Sequence, residues 1–152
     1  MDAPQKPSFE RQESLGYLVN RLARLFSRAL EKRLAGHGVA LGPFPILLLL
    51  WEQEGLTQTE IARRLDFEQP TISNTLKRME RDGLIEFAPD PTSRKRILVR
   101  LTEKAKALRP ALTGEAEAVN QAASAKMSHE EIREFKYLLA TLTENLENSC
   151  EN

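Results

Sequence analysis

Gln69, Thr71, Ser73, Asn74, Lys77, Arg78 and Arg81 share one side of a helix once Ile72, Leu76 and Met79, at helical spacing, are turned inward. The first of these side chains are amides and hydroxyls, which pair with the edges of bases. Gln and Asn suit adenine, Ser and Thr accept either partner, and the later Lys and Arg suit guanine or phosphate. An ordinary solvated face mixes Glu with Lys, yet no acidic residue lies between Gln69 and Met79. A second group, Arg94-Lys95-Arg96, concentrates positive charge at the tip of an expected hairpin. Alone it reads as a solvated turn. One strand beyond a helix-turn-helix, it is placed to meet phosphates or a minor groove. The chemistry implied is recognition of duplex DNA rather than a reaction.

These groups need elements to hold them. Thr57 with Glu60 three residues on has capping-box spacing and opens a short helix carrying Ile61, Ala62 and Leu65. The turn Asp66-Phe67-Glu68-Gln69 leads to Pro70, which suits a first helical position, and the second helix stops at Asp82-Gly83. Strands are expected over 84–88 and 97–101, joined by the eight residues 89–96. A loop of that length should project.

On either side lie longer helices. From Ser14 a stripe of Leu15, Leu18, Val19, Leu22, Leu25, Phe26, Ala29, Leu30 and Leu34 runs to Gly36-His37-Gly38, where glycine should cap it. A helix starting near Pro43 and Pro45 and running to Gly55 is apolar on nearly all sides and should be central. Beyond Thr102-Glu103 a helix carries Ala105, Leu108, Leu112, Ala116, Val119 and Ala123, with Pro110 inside it as a source of a kink. Ser128 and Glu131 open the last helix, followed by Ile132, Phe135, Leu138, Leu139, Leu142 and Leu146. The expected class is mainly α with a small β-wing. Its parts are a flexible arm (1–13), an N-terminal dimerisation helix (14–42), a winged helix-turn-helix domain (43–101) and C-terminal dimerisation helices (102–152).

Formal neutrality hides an asymmetry. Residues 61–109 hold 12 Lys/Arg against 7 Asp/Glu, while residues 110–152 hold 3 against 8. The phosphate attraction depends on local basic surface, so the middle of the chain is the expected polyanion face. The winged unit is complete without the terminal helices, so their stripes are best buried against a second copy. Leu15, Leu18, Leu22, Leu25, Ile132, Phe135, Leu139 and Leu142 are the expected dimer contacts. A two-fold dimer sets two recognition helices about 34 Å apart on a pseudo-palindromic site.

The segments GLTQTEIARRL (55–65) and QPTISNTLKRMERDGLI (69–85), and the hairpin running into RLTEKAKAL (100–108), resemble the MarR family of winged-helix transcription regulators. The resemblance covers residues 14–147. It implies a homodimer with interdigitated first and last helices, and a wing whose basic tip inserts beside the recognition helix. It also implies a small aromatic or anionic effector between the dimer helices and the winged unit. Tyr17, Arg21, Phe44 and Trp51 are candidates for that pocket, against the alternative that Phe44 and Trp51 are core and Arg21 is solvated. In the family pattern Asp, any residue and Arg precede Leu-Thr by a fixed interval, and here those positions are Ser93 and Lys95. The usual wing salt bridge is therefore missing, and Asp90, reaching across the loop, is the candidate to replace it.

No nucleophile motif or Gly-rich phosphate loop is present, so no enzyme and no cofactor is expected. His37, His129 and the single Cys150 are too scattered for a metal cluster. Thiol-sensing relatives carry a cysteine early in the first helix, and none is there. One cysteine, a polar N-terminus and an apolar run of only 46–51 point to a cytoplasmic protein without a membrane span. The main expectation is a dimeric, sequence-specific regulator, acting as a repressor, bound to double-stranded DNA. The rivals are a winged-helix protein-interaction module and a sequence-neutral architectural protein.

Overall fold

The computed structural model describes residues 9–150. The chain divides into two compact units, one ending at Ala116 and the other beginning at Glu117.

In the first unit a 3-10 turn, Arg11–Glu13, precedes α1 (Leu15–Ala35), so the end of the expected flexible arm is ordered. The rest of that arm, residues 1–8, lies outside the described residues. Ser14 caps α1, its hydroxyl accepting from the Tyr17 amide at 3.5 Å. At the far end the left-handed residue is Gly38, φ 71°, while Gly36 stays right-handed. The chain needs the extra residues to let the Val39 amide reach back to the Leu34 carbonyl at 3.3 Å.

The next helix, α2 (Pro43–Glu52), buries Phe44, Ile46, Leu47 and Leu50 and is the centre of the core. It ends before Gly55. Gln53 turns extended, and Leu56 is drawn into a bridge with Val99, whose amide meets the Leu56 carbonyl at 2.8 Å.

The tandem helices are α3 (Gln58–Arg64) and α4 (Gln69–Arg81). Thr57 and Glu60 form the capping box reciprocally: Thr57 N to Glu60 Oε2 at 2.8 Å, Glu60 N to Thr57 Oγ1 at 3.2 Å. At the end of α3, Asp66 adopts φ 53°. That left-handed residue lets the Phe67 amide bond the Ala62 carbonyl at 3.0 Å, which sets the sharp turn into α4. Pro70 sits one residue inside the start of α4, a place where its missing N–H leaves no bond unmade. The other end of α4 uses Gly83, φ 70°, with Leu84 N bonded to Met79 O at 2.8 Å and Gly83 N to Glu80 O at 3.0 Å.

Two antiparallel strands follow, β1 (Ile85–Asp90) and β2 (Ser93–Leu101), paired from Ile85↔Leu101 to Pro89↔Ile97. The α5 helix (Glu103–Ala123) starts at Thr102, whose hydroxyl accepts from Ala105 N at 3.3 Å and donates to the Gly83 carbonyl at 2.6 Å. Glu115 of α5 accepts from Arg33 at 3.0 Å and meets His37 Nε2 at 3.0 Å. The hydrogen bond with His37, then that from Arg33, holds its carboxyl below the ordinary range.

One core joins these elements: Leu34, the α2 residues, Ile61, Ile72, Leu76, Met79, Ile85, Val99, Ala105 and Leu112 all belong to it. Each large side chain among them contributes roughly 1.5–3 kcal/mol by leaving water.

In the second unit, the end of α5 is followed by α6 (His129–Cys150). Ser128 and Glu131 close a second capping box, with bonds of 2.7 and 3.1 Å. No residue of α6 is buried; Phe135, Tyr137, Leu138 and Leu146 are exposed, and Ile132, Leu139 and Leu142 are half-buried.

Candidate nucleic-acid interface

The inner stripe of α4 is completely used: Ile72, Leu76 and Met79 are buried. Its outer face presents Gln69, Thr71, Asn74, Lys77 and Arg78 exposed, and Ser73 half-buried. Among the described residues, none of these six side chains has an intramolecular hydrogen bond or ion pair. Their donors and acceptors are therefore saturated only by solvent, the state of groups available to a base edge or a phosphate. Arg81 differs, because its guanidinium bonds Asp82 at 3.0 Å.

The wing departs from the expected hairpin. Its turn is Pro91-Thr92 rather than an eight-residue loop, since the strands extend to Asp90 and from Ser93. Asp90 causes this, its Oδ1 accepting from the Thr92 amide at 2.9 Å and the Thr92 hydroxyl at 2.8 Å. An aspartate bonding the backbone two residues on closes a turn locally. Arg94, Lys95 and Arg96 consequently do not form the tip. They lie in β2, as extra residues between the Asp90↔Ser93 and Pro89↔Ile97 pairs, where the register shifts. A bulge of this kind pushes side chains out of the regular ladder.

The three cations then part company. Arg94 and Lys95 are exposed, and among the described residues they have no ion-pair partner. Arg96 is held. Its Nε lies 3.5 Å from Asp90 Oδ2, and its Nη2 donates to Glu60 Oε1 at 3.1 Å. Both carboxyls are held below their ordinary values. For Glu60 the largest cause is the Thr57 amide, and for Asp90 the Thr92 amide; the Arg96 charge adds to each. Asp90 thus takes the place of the missing wing aspartate, as its position suggested. Glu60 is the residue that sequence reading missed in this site. Its capping role was legible from local spacing, whereas its bond to a side chain 36 residues away carries no local signal.

The effector candidates separate too. Tyr17 and Arg21 line an open depression with Arg11, Gln12 and Leu18, and the Arg11 guanidinium sits 5.1 Å from the Tyr17 ring centre. Phe44 is in the core, packed edge-on to Trp51 at 6.5 Å, and the Trp51 indole N–H donates to the Ala105 carbonyl at 3.1 Å. An indole whose only donor is already used by the backbone is a structural side chain. Of the expected dimer contacts on α1, Leu15, Leu18, Leu22 and Leu25 are all exposed. Among the described residues no group of three or more His, Cys, Asp or Glu is placed to hold a metal, and no helix is long and apolar enough to cross a membrane.

A model of the MarR family matches residues 41–97, the whole of α2 to α4 and most of the wing. The HTH-type transcriptional regulator TtmR of Methylorubrum extorquens is 35% identical over 95 residues, which is 62% of this chain and 49% of that protein. The matched stretch therefore spans about half the length of that relative. The HTH-type transcriptional regulator MgrA of Staphylococcus aureus is 27% identical over 126 residues, covering 83% of this chain and 82% of its own length. The solved MepR–DNA complex of S. aureus superposes with a TM-score of 0.78 at 26% identity, over 90% of this chain and 99% of that one. TtmR and MgrA are both named as transcriptional regulators. Residues 41–97 thus match the MarR family, and the fold is the one seen in that family's winged helix-turn-helix regulators.

Proposed function

We propose that the chain is a sequence-specific regulator of transcription in the cytoplasm, acting as a homodimer on a pseudo-palindromic operator. One observation carries the reading: the outer face of α4 offers amides, hydroxyls and two cations with no internal partner and no carboxylate among them. Gln69, Thr71, Ser73 and Asn74 are the base-edge readers, Lys77 and Arg78 the guanine or phosphate contacts. Arg94 and Lys95 serve the neighbouring phosphates or minor groove. A solved DNA complex of a relative with the same fold supports this use of the surface.

The dimer rests on α1 and α6. Leu15 at 64%, Leu18 at 43%, Leu22 at 39% and Leu25 at 48% exposure form a continuous apolar stripe that water solvates poorly. A second copy supplies the matching surface. Repression is the proposed mode, with release by a small aromatic or anionic ligand drawn to the Tyr17–Arg21 depression.

Selection of bound sequences from a random duplex pool tests the reading as a whole. The expected result is an enriched inverted repeat, with half-sites about 10 base pairs apart. Equal recovery of all sequences, or binding indifferent to salt, defeats it.

A further inference from the structure

We propose that Glu60 is a positioning residue for the wing, and that Arg96 is its counter-ion rather than a DNA contact. The inference rests on the DNA-binding reading above and assigns a division of labour within it.

The two oxygens of Glu60 have separate partners. Oε2 accepts from the Thr57 amide at 2.8 Å and caps α3; Oε1 accepts from Arg96 Nη2 at 3.1 Å. The same guanidinium faces Asp90 Oδ2 at 3.5 Å. Each end of the brace is itself fixed by a local motif, the capping box at one end and the Asp90–Thr92 turn at the other. Arg96 is therefore clamped between rigid supports on α3 and β1.

The wing needs such a clamp. A two-stranded hairpin is barely stable alone. Its root is tied to the body by the Val99–Leu56 bridge. Arg96 lies beyond that root, toward the turn, next to Arg94 and Lys95. Its bond to α3 sets where those two partnerless cations sit relative to α4, because α3 and α4 share one core. A phosphate approaching Arg96 would have to displace two carboxylates already at bonding distance, whereas Arg94 and Lys95 meet no such competitor.

The full-length chain in R96Q, R96K, E60Q, R94Q, K95Q and E60Q/R96Q forms tests the assignment. Gln at 60 still accepts from the Thr57 amide, so E60Q retains the cap while removing the charge. Without DNA, amide hydrogen exchange across residues 92–97 should quicken in R96Q and E60Q and stay at the wild-type rate in R94Q and K95Q. With an operator duplex, R94Q and K95Q should each reduce the slope of log affinity against log salt by about one. R96Q should weaken binding roughly three- to tenfold with the slope unchanged. R96K should recover part of that loss, and E60Q should add little once R96Q is present. A slope reduction in R96Q equal to that of R94Q overturns the proposal, and so does unaltered exchange in R96Q. If the wild type binds no duplex, the DNA reading fails, while the exchange data still decide whether the brace exists.

Discussion

Helices α1 and α4 are both amphipathic, and the tertiary structure treats them in opposite ways. In α4 the apolar stripe is sealed, with Leu76 and Met79 at 0% exposure, and the polar side is left to solvent. In α1 only Leu34 is buried, while Leu15, Leu18, Val19, Leu22 and Leu25 stay exposed. The difference fits the two surfaces to different kinds of neighbour. A helix that hides its apolar face and exposes unpaired amides, hydroxyls and cations suits a hydrated polyanion. A helix that leaves leucines outside suits another apolar surface, and a second copy carries one by construction.

The contrast is open to direct attack. Leu76→Ala removes core contacts that exist within one chain, so unfolding should be easier by about 2–5 kcal/mol. Urea denaturation should give that loss equally at low and high protein concentration. A value under about 1 kcal/mol would mean that α4 is not a core helix. Leu22→Asp combined with Leu25→Asp should act differently, by turning the dimer into monomers in sedimentation experiments. Operator affinity should then fall by about 100-fold or more, because two half-sites are no longer held together. A double variant that stays dimeric would remove the argument from the exposed stripe.

The outer face of α4 should respond on a smaller scale. Asn74→Ala should cost about 1–3 kcal/mol of discrimination at one base pair, with the melting temperature unchanged. Arg78→Ala should weaken all duplexes alike if its contact is to phosphate, and this shows as a shallower salt dependence. A drop in stability for Asn74→Ala would place that side chain in the fold rather than in the interface.

The smallest effect expected is on pH dependence. Glu60, Asp90 and Glu115 all have folded-state carboxyls held below their ordinary values. Their stabilisation is therefore complete above the unfolded carboxylate pKa of about 4, and it is lost as pH falls through the lower folded values. Melting temperature should decline on acidification from about pH 5 to pH 3, and less steeply in Asp90→Asn than in the wild type. An equal decline in that variant would detach Asp90 from the brace.

Local features of the fold were the legible ones. The caps at Thr57–Glu60 and Ser128–Glu131 depend on residues three apart, and both close as their spacing implies. The outward side of α4 was legible for the same reason, since the positions of Ile72, Leu76 and Met79 fix it. The wing was less so. A count of residues between two apolar runs suggested a long loop, but the Asp90 side chain closes the turn at Pro91-Thr92 and shifts the three cations into β2. Phe44 and Trp51 read equally as pocket walls or core. Only the packing of α2 against α5, with the indole bonded to Ala105, chose between the two.

By itself, then, the sequence determined the run of helices, their caps, the outward side of α4 and the concentration of positive charge between residues 61 and 109. These follow from interactions between near neighbours and from composition, which a linear reading contains. The tertiary structure decided which apolar stripe is sealed and which is left exposed. It also decided which of the three wing cations is bound internally. Both outcomes depend on groups far apart along the chain, and Arg96 reaching Glu60 across 36 residues is the clearest instance.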